Sequence, residues 1–292
     1  MFLHTERFTP HPYPELVDKR AFAEGAIPEA AYRKICSEYA AADDVDVQRI
    51  VYGSDGLKIT GLLAAPHGAA TLKGLVLYNR GGSGDYGMLT VHTVMRQFVP
   101  LARAGYLVVG SNYRGNDGGE GGDEFGGRDV DDVIALYAMA KTHPLAGGKP
   151  PFIIGHSRGG MMTYLLLKRG VAARAAVAIA AVADLHGWDN IRPEIYEKVY
   201  KRYIPHFTED EEAVIADRSA ICWPEKIAAP LLLLHGTGDS RVPHSQSEHL
   251  ARLLAARNKP HSLVLYEGGN HALTRHWSDV MAKTAAWLSR HE

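Results

Sequence analysis

The chain has 292 residues, 46% of them hydrophobic and 22% charged, with a formal net charge of −1 at pH 7. That length supports a sizeable core in one large α/β domain or two small ones. Lys and Arg are scattered and balanced by acid, which argues against nucleic-acid binding and against adhesion to an anionic membrane. The two cysteines, Cys36 and Cys222, stand far apart and exclude both a disulfide framework and a C-x-x-C metal or redox pair.

Residues 1–47 read as an N-terminal helical extension. The stretch Met1–Pro14 carries His, Glu, Arg and three prolines where a secretory leader needs an apolar run. Helix-compatible stretches follow at Glu15–Glu24 and Pro28–Ala42, the second with proline in a favoured first-turn position. Strand character begins at Val45. Val45–Tyr52 and Leu57–Ala65 flank Gly53-Ser54-Asp55-Gly56, a hairpin signal. Strands are then expected at Gly74–Tyr78, Tyr106–Ser111, Pro151–Gly155, Ala175–Val182, Leu231–Gly236 and Ser262–Tyr266. Between and after them come helices at Val91–Ala104, Arg128–Thr142, Gly159–Arg169, Ser245–Asn258 and Trp277–Arg290. These strands are nearly continuous in hydrophobicity, as a parallel sheet buried on both faces requires, and their alternation with helices means an α/β sheet. The interval from Asp184 to Ile227 is too long for a simple crossover and is rich in aromatics. It predicts a helical cap, about residues 185–227, inserted in a catalytic domain spanning 48–292. No apolar run reaches membrane-spanning length, and a soluble cytoplasmic protein is expected.

The segment Gly155-His156-Ser157-Arg158-Gly159 lies between an apolar run and a helix-compatible run. A G-x-S-x-G elbow holds its serine in a strained strand-to-helix turn that leaves no room for side chains two places either side. A Gly-rich turn carrying a chance serine is the competing reading, and context decides against it. Asp239 follows the strand Leu231–Gly236, and His271 follows Ser262–Tyr266. In open α/β sheets ligands bind beyond the carboxyl ends of the strands, where these three loops lie. A serine hydroxyl needs an imidazole to take its proton and a carboxylate to orient that imidazole, so Ser157, His271 and Asp239 form a candidate triad. Asp184 also ends a strand and is the rival acid. Asp239 is preferred because its glycine-lined loop lets a carboxylate approach the histidine loop.

Several segments together resemble the catalytic domain of the prolyl oligopeptidase family. They are Tyr113-Arg114-Gly115 with Phe125-Gly126-Gly127, Gly155-His156-Ser157-Arg158-Gly159-Gly160, His235-Gly236-Thr237-Gly238-Asp239-Ser240-Arg241-Val242-Pro243 and Gly268-Gly269-Asn270-His271. The resemblance runs from about Val47 to the C-terminus. It implies an α/β-hydrolase fold, a mostly parallel central sheet flanked by helices, and serine peptidase or esterase activity on a small ester or short peptide. Two departures stand out. Residues 1–47 could not form the β-propeller of the large members, and Arg80 stands where a Tyr or His is expected after the first parallel strand.

The oxyanion requires donors already aimed at it. One is the backbone N–H of Arg158, and the second is expected from Arg80, Gly81 or Gly82. The Arg80 guanidinium either joins them or pairs with a surface carboxylate. Trp188 and Tyr203 of the cap are candidate substrate-binding residues, with anchoring of the cap as the alternative role.

Two other functions compete. Gly82-Ser83-Gly84-Asp85-Tyr86-Gly87 matches the dinucleotide fingerprint G-x-G-x-x-G, but the next strand ends at Ser111-Asn112-Tyr113-Arg114 without the acid that would hold a ribose. Arg114 leaves open a 2′-phosphate and an oxidoreductase. A non-catalytic hydrolase-like binding protein usually lacks a triad member, and here all three are present. The acidic residues of Gly115–Gly127 lack calcium-loop spacing, and His244 and His249 cannot share a helix face. No metal and no cofactor are expected.

Overall fold

The computed structural model describes residues 2–18 and 27–292, which divide into two compact units. Residues 1–123 and 131–149 form the first, and residues 124–130 and 150–292 the second.

In the first unit the strands β1 (His4–Arg7), β2 (Val45–Ser54), β3 (Leu57–Pro66), β4 (Gly74–Asn79) and β5 (Tyr106–Ser111) lie in the order β1-β2-β3-β5-β4. β4 and β5 are parallel, and the remaining pairs are antiparallel. The β2–β3 hairpin pairs from Val45↔Pro66 to Ser54↔Leu57 and turns through Asp55 and Gly56, at φ 51° and 79°. Two successive left-handed residues are what a two-residue hairpin turn needs to match strand twist. Within the proline-rich start, β1 pairs with β2 over His4↔Val51 to Arg7↔Gln48, a strand too polar to signal itself in the sequence. The helix α2 (Glu29–Ala40) lies within the second expected helical stretch, and α1 (Tyr13–Asp18) shares residues 15–18 with the first, whose residues 19–24 lie outside the described residues.

The helix expected at Val91–Ala104 is interrupted. α3 (Val91–Thr93) passes through a π-helical turn, Val94–Phe98, into α4 (Val99–Arg103). Pro100 supplies the reason: it has no N–H for the regular i→i−4 ladder, and a wider turn before it accommodates the gap. α5 (Asp129–Ala140) carries Asp132, whose carboxylate takes bonds from Arg114 Nε at 3.0 Å, Nη2 at 2.7 Å and backbone N at 2.8 Å. Asp55 also accepts from Arg114 Nη2, at 2.8 Å. Arg114 is thus committed to two carboxylates, and the 2′-phosphate role loses its residue.

The second unit is built on the strands β6 (Phe152–His156), β7 (Ala175–Ile179), β8 (Leu231–Gly236) and β9 (His261–Tyr266), all parallel and neighbours in chain order. β7 and β8 are buried at every position, which accounts for their unbroken apolar sequence. α6 (Arg158–Lys168) packs on β6 and β7. The expected cap contains α7 (Trp188–Ile191), a π-helical turn at Tyr196–Tyr200, α8 (Lys201–Tyr203) and α9 (Glu211–Arg218). α10 (His244–Ala255) packs on β8 and β9, and α11 (Trp277–Arg290) on β7 and β8. Among the described residues no helix is long and apolar enough to cross a membrane.

The Arg114–Asp132 pair is 2% and 0% exposed. Asp132→Ala leaves the buried Arg114 guanidinium with part of its pairing, to Asp55, so it should lower unfolding free energy by up to about 3–5 kcal/mol in urea titrations.

Candidate active site

Ser157 sits between β6 and α6 with φ 57° and ψ −124°, a left-handed conformation that is strained for a non-glycine residue. The surrounding glycines permit it. A Cβ on Gly155 would strike the Gly159 carbonyl and lie 2.6 Å from Thr163 Oγ1, and one on Gly160 would strike Ala181. The Ser157 amide donates to the Ile179 carbonyl at 2.8 Å, tying the elbow to the end of β7. Ser157 is also the N-cap residue of α6, yet its hydroxyl makes no capping bond. It donates instead to His271 Nε2 at 3.0 Å.

His271 Nδ1–H donates in turn to Asp239 Oδ2 at 2.8 Å. The acid and histidine loops meet through their glycines. Gly238 N–H donates to the Gly269 carbonyl at 3.0 Å, Thr237 N–H to the Tyr266 carbonyl at 2.9 Å, and a Cβ on Gly236 would collide with Gly269. Asp239 Oδ1 accepts from the amides of Arg241 and Val242 at 2.8 and 3.0 Å. Burial of this carboxylate opposes its ionisation. Hydrogen bonds from His235 and His271, the charge of His271 and the Val242 amide outweigh that and hold its pKa well below the usual carboxylate range. The hydrogen bonds therefore join Ser157, His271 and Asp239, all in the second unit.

The rival acid faces elsewhere. Asp184 Oδ1 accepts from the amide of His186 at 2.9 Å and lies 3.5 Å from that residue's ring nitrogen. Gln246 fixes the same segment by accepting from the amides of Ala183 and Asp184 and donating to the Asp184 carbonyl.

Arg158, next to the nucleophile, buries its guanidinium against Asp129, with its centre 4.6 Å from the Phe125 ring centroid. Phe125 stacks on Trp188 at 6.3 Å between centroids. Trp188 is 5% exposed and donates its indole N–H to the Arg241 carbonyl at 2.7 Å, joining the cap to the acid loop. Tyr203 is half-buried at the end of α8, with its ring against the Arg202 guanidinium. Among the described residues neither Trp188 nor Tyr203 hydrogen-bonds to a triad side chain.

The Arg80 guanidinium, in the first unit, lies 4.0 Å from the Asp123 carboxylate, which is buried and not on the surface. It is 1% exposed and donates to the carbonyls of Asn112, Gly81, Tyr86 and Gly84 in five bonds of 2.7–3.2 Å. It neither sits on the surface nor has a donor to spare for an oxyanion; it holds its own glycine-rich segment closed. The backbones of Gly81 and Gly82 lie in that segment. No group of three or more His, Cys, Asp or Glu side chains among the described residues is arranged to hold a metal.

Two histidines beside the triad were not legible as site residues. His156 Nε2–H donates to the His271 carbonyl at 3.0 Å, and His235 reaches Asp239. Both lie inside motifs that the sequence shows, but their partners are set by tertiary contact.

Residues 92–292 match the prolyl oligopeptidase family. The chain belongs to that family. Over 228 residues it is 31% identical to the uncharacterized peptidase YtmA of Bacillus subtilis, covering 78% of this chain and 86% of that protein. Among solved structures it is similar to a Pyrococcus horikoshii acylaminoacyl peptidase, with TM-score 0.71 and 19% identity over 87% of this chain and 43% of that one. It is also similar to a Pyrococcus furiosus esterase, with TM-score 0.64 and 18% identity over 83% and 90% of the two chains. The chain thus spans less than half of the acylaminoacyl peptidase. This prolyl oligopeptidase family member has the α/β-hydrolase fold and is a serine hydrolase, and nothing in these comparisons supports the dinucleotide-binding alternative.

A carboxylate held ionised in the fold stabilises it above the ordinary carboxylate pKa, and that stability is lost as pH falls through the lower, folded value. The unfolding free energies of wild type and Asp239→Asn should therefore differ most near neutrality, and the difference should shrink only as pH falls below the ordinary carboxylate range toward the lower folded value. Urea titrations across that range check this.

Proposed function

We propose that this chain cleaves a small ester or a short peptide-like bond through an acyl-enzyme formed on Ser157. The observation that carries the reading is the continuous line from Ser157 Oγ through His271 to Asp239, with separations of 3.0 and 2.8 Å. His271 Nε2 takes the Ser157 proton as Oγ attacks the substrate carbonyl carbon, then gives it to the leaving alcohol or amine as the tetrahedral intermediate collapses. Water, activated by the same nitrogen, attacks the acyl carbon and releases the acid and free Ser157. Asp239 fixes the His271 tautomer and balances the imidazolium charge.

The Arg158 amide, first in α6, is the proposed oxyanion donor, since it follows the nucleophile directly. On sequence grounds the second donor is a backbone amide of the Arg80–Gly82 segment. An acylaminoacyl peptidase and an esterase among the structural relatives support acyl transfer with a choice of leaving group. A cytoplasmic setting belongs to this reading and is supported by two thiols, Cys36 and Cys222, that are both free.

For the cap, the contacts of Trp188 favour an anchor, whereas Tyr203 is the proposed substrate-facing aromatic. Trp188→Ala should lower stability by about 3–5 kcal/mol and slow all substrates alike. Tyr203→Ala should keep the melting temperature and change the kcat/KM ratio between short and long acyl esters. An unchanged ratio would remove Tyr203 from the binding role.

Ser157→Ala and His271→Ala should each abolish turnover to a similar degree, because the triad acts as a unit. Asp239→Asn should lower kcat by orders of magnitude, on the order of 10⁴-fold where the same change has been made in such a triad, and Asp184→Asn should do little. p-Nitrophenyl esters beside aminoacyl p-nitroanilides measure these rates and identify the preferred leaving group. Retention of a substantial rate by Ser157→Ala would overturn the reading.

A further inference from the structure

Asp239 Oδ2 has a second imidazole on it. His235, the penultimate residue of β8 and 0% exposed, brings Nε2 to 3.2 Å from Asp239 Oδ2 and 2.9 Å from the Val242 carbonyl. Neither oxygen has a hydrogen to give, so the proton is on His235 Nε2. Nδ1 of the same ring lies 2.7 Å from Ser247 Oγ, on the buried side of α10. The Ser247 hydroxyl donates to Nδ1 and fixes the tautomer. A chain of hydrogen bonds therefore runs Ser247, His235, Asp239, His271, Ser157, with the acid between two histidines.

We infer that His235 is a positioning residue for acyl transfer, its Nε2–H holding Asp239 Oδ2 on the line to His271 and sharing that oxygen's charge. The inference rests on the triad proposed above. Two features separate this from ordinary packing. The bond falls on Oδ2, the oxygen that His271 uses, while Oδ1 is held by the Arg241 and Val242 amides. The His235 bond to the Val242 carbonyl also closes the loop that carries Asp239, so one ring sets both the loop and the carboxylate rotamer.

The effect on the reaction has a definite sign. A donor on Oδ2 draws off part of the charge that Asp239 presents to His271. Without it the carboxylate stabilises the His271 imidazolium more strongly in the free enzyme. The neutral base is then reached only at higher pH. Among the described residues His156 also lies against His271, with ring centroids 5.1 Å apart, and it is the same in every variant compared. Facing His235 are Asp239 and the non-ionising Ser247.

His235→Phe keeps an aromatic ring and removes both nitrogens. It should lower kcat roughly tenfold with KM little changed, as expected for loss of a hydrogen bond to a charged group. The acid limb of the kcat/KM profile should move to higher pH. His235→Gln, which keeps an N–H donor, should restore the limb toward its original position. A role in packing alone would lower the melting temperature and the amount of active enzyme while leaving the limb where it was, and that result would overturn the inference. If His235→Phe does not fold, His235→Met, an apolar side chain with no donor, carries the test. It should move the limb in the same direction, and an unmoved limb there rejects the role. Ser157→Ala tests the triad separately. Its complete inactivity with an unmoved limb in His235→Phe sinks this inference alone; retained turnover in Ser157→Ala sinks both.

Discussion

The left-handed turn at Ser157 is the constraint from which the rest of the second unit follows. A serine at φ 57° costs about 1–3 kcal/mol and persists only where the surroundings leave no alternative. Here β6 ends and α6 begins across that single residue. The carbonyl of Gly159 accepts from Thr163 Oγ1 at 2.9 Å, and the Gly160 amide donates to the Ser157 carbonyl at 2.9 Å, so the first turn of α6 is braced from within. Residues Arg158 to Leu167 are buried without interruption, and that apolar burial offsets the strain at the helix start. Side chains at 155 or 160 would force the turn apart before they affected anything else.

The electrostatic side of the site follows a related logic. A carboxylate whose side chain is 0% exposed must be given donors or it will take up a proton. Asp239 is given two amides on one oxygen and two imidazoles on the other. The first pair comes from its own loop, so a short sequence segment already provides for it. The second pair comes from the end of β8 and from the loop after β9. The parallel register Leu231↔His261 to Gly236↔Tyr266 brings those two chain segments together. Sheet topology and pKa are one problem here.

Much of this was legible because apolar patterning reports burial directly. The runs Tyr106–Ser111 and Leu231–Gly236 are strands at those boundaries, and the order serine, aspartate, histidine maps onto three strand ends. Features that depend on which polar partner arrives from far along the chain were not legible. His235 stands four residues before Asp239 and looks like part of a strand; only its buried ring, turned toward α10, shows what it touches. β1 is polar at every position and is defined by its pairing with β2. The π-helical turn after α3 was not read from the sequence, although Pro100, which has no N–H for the regular ladder, lies just beyond it.

The arginines give the clearest physical lesson. Arg80, Arg114 and Arg158 follow β4, β5 and β6 within three residues of each strand's end, and all are at most 2% exposed. An arginine near a presumed site invites the reading that it binds an anion. Each of these instead serves the chain itself. Arg80 satisfies loop carbonyls, Arg114 pairs with Asp132 and Asp55, and Arg158 pairs with Asp129. Loops beyond strand ends have left the ladder, so their carbonyls need donors from elsewhere. A guanidinium offers five in one rigid plane, more than any other side chain. Glycine-rich segments raise that demand, because they bring many carbonyls close together and supply no side chains to meet them. In the segment after β4, one buried arginine with five donors meets that need.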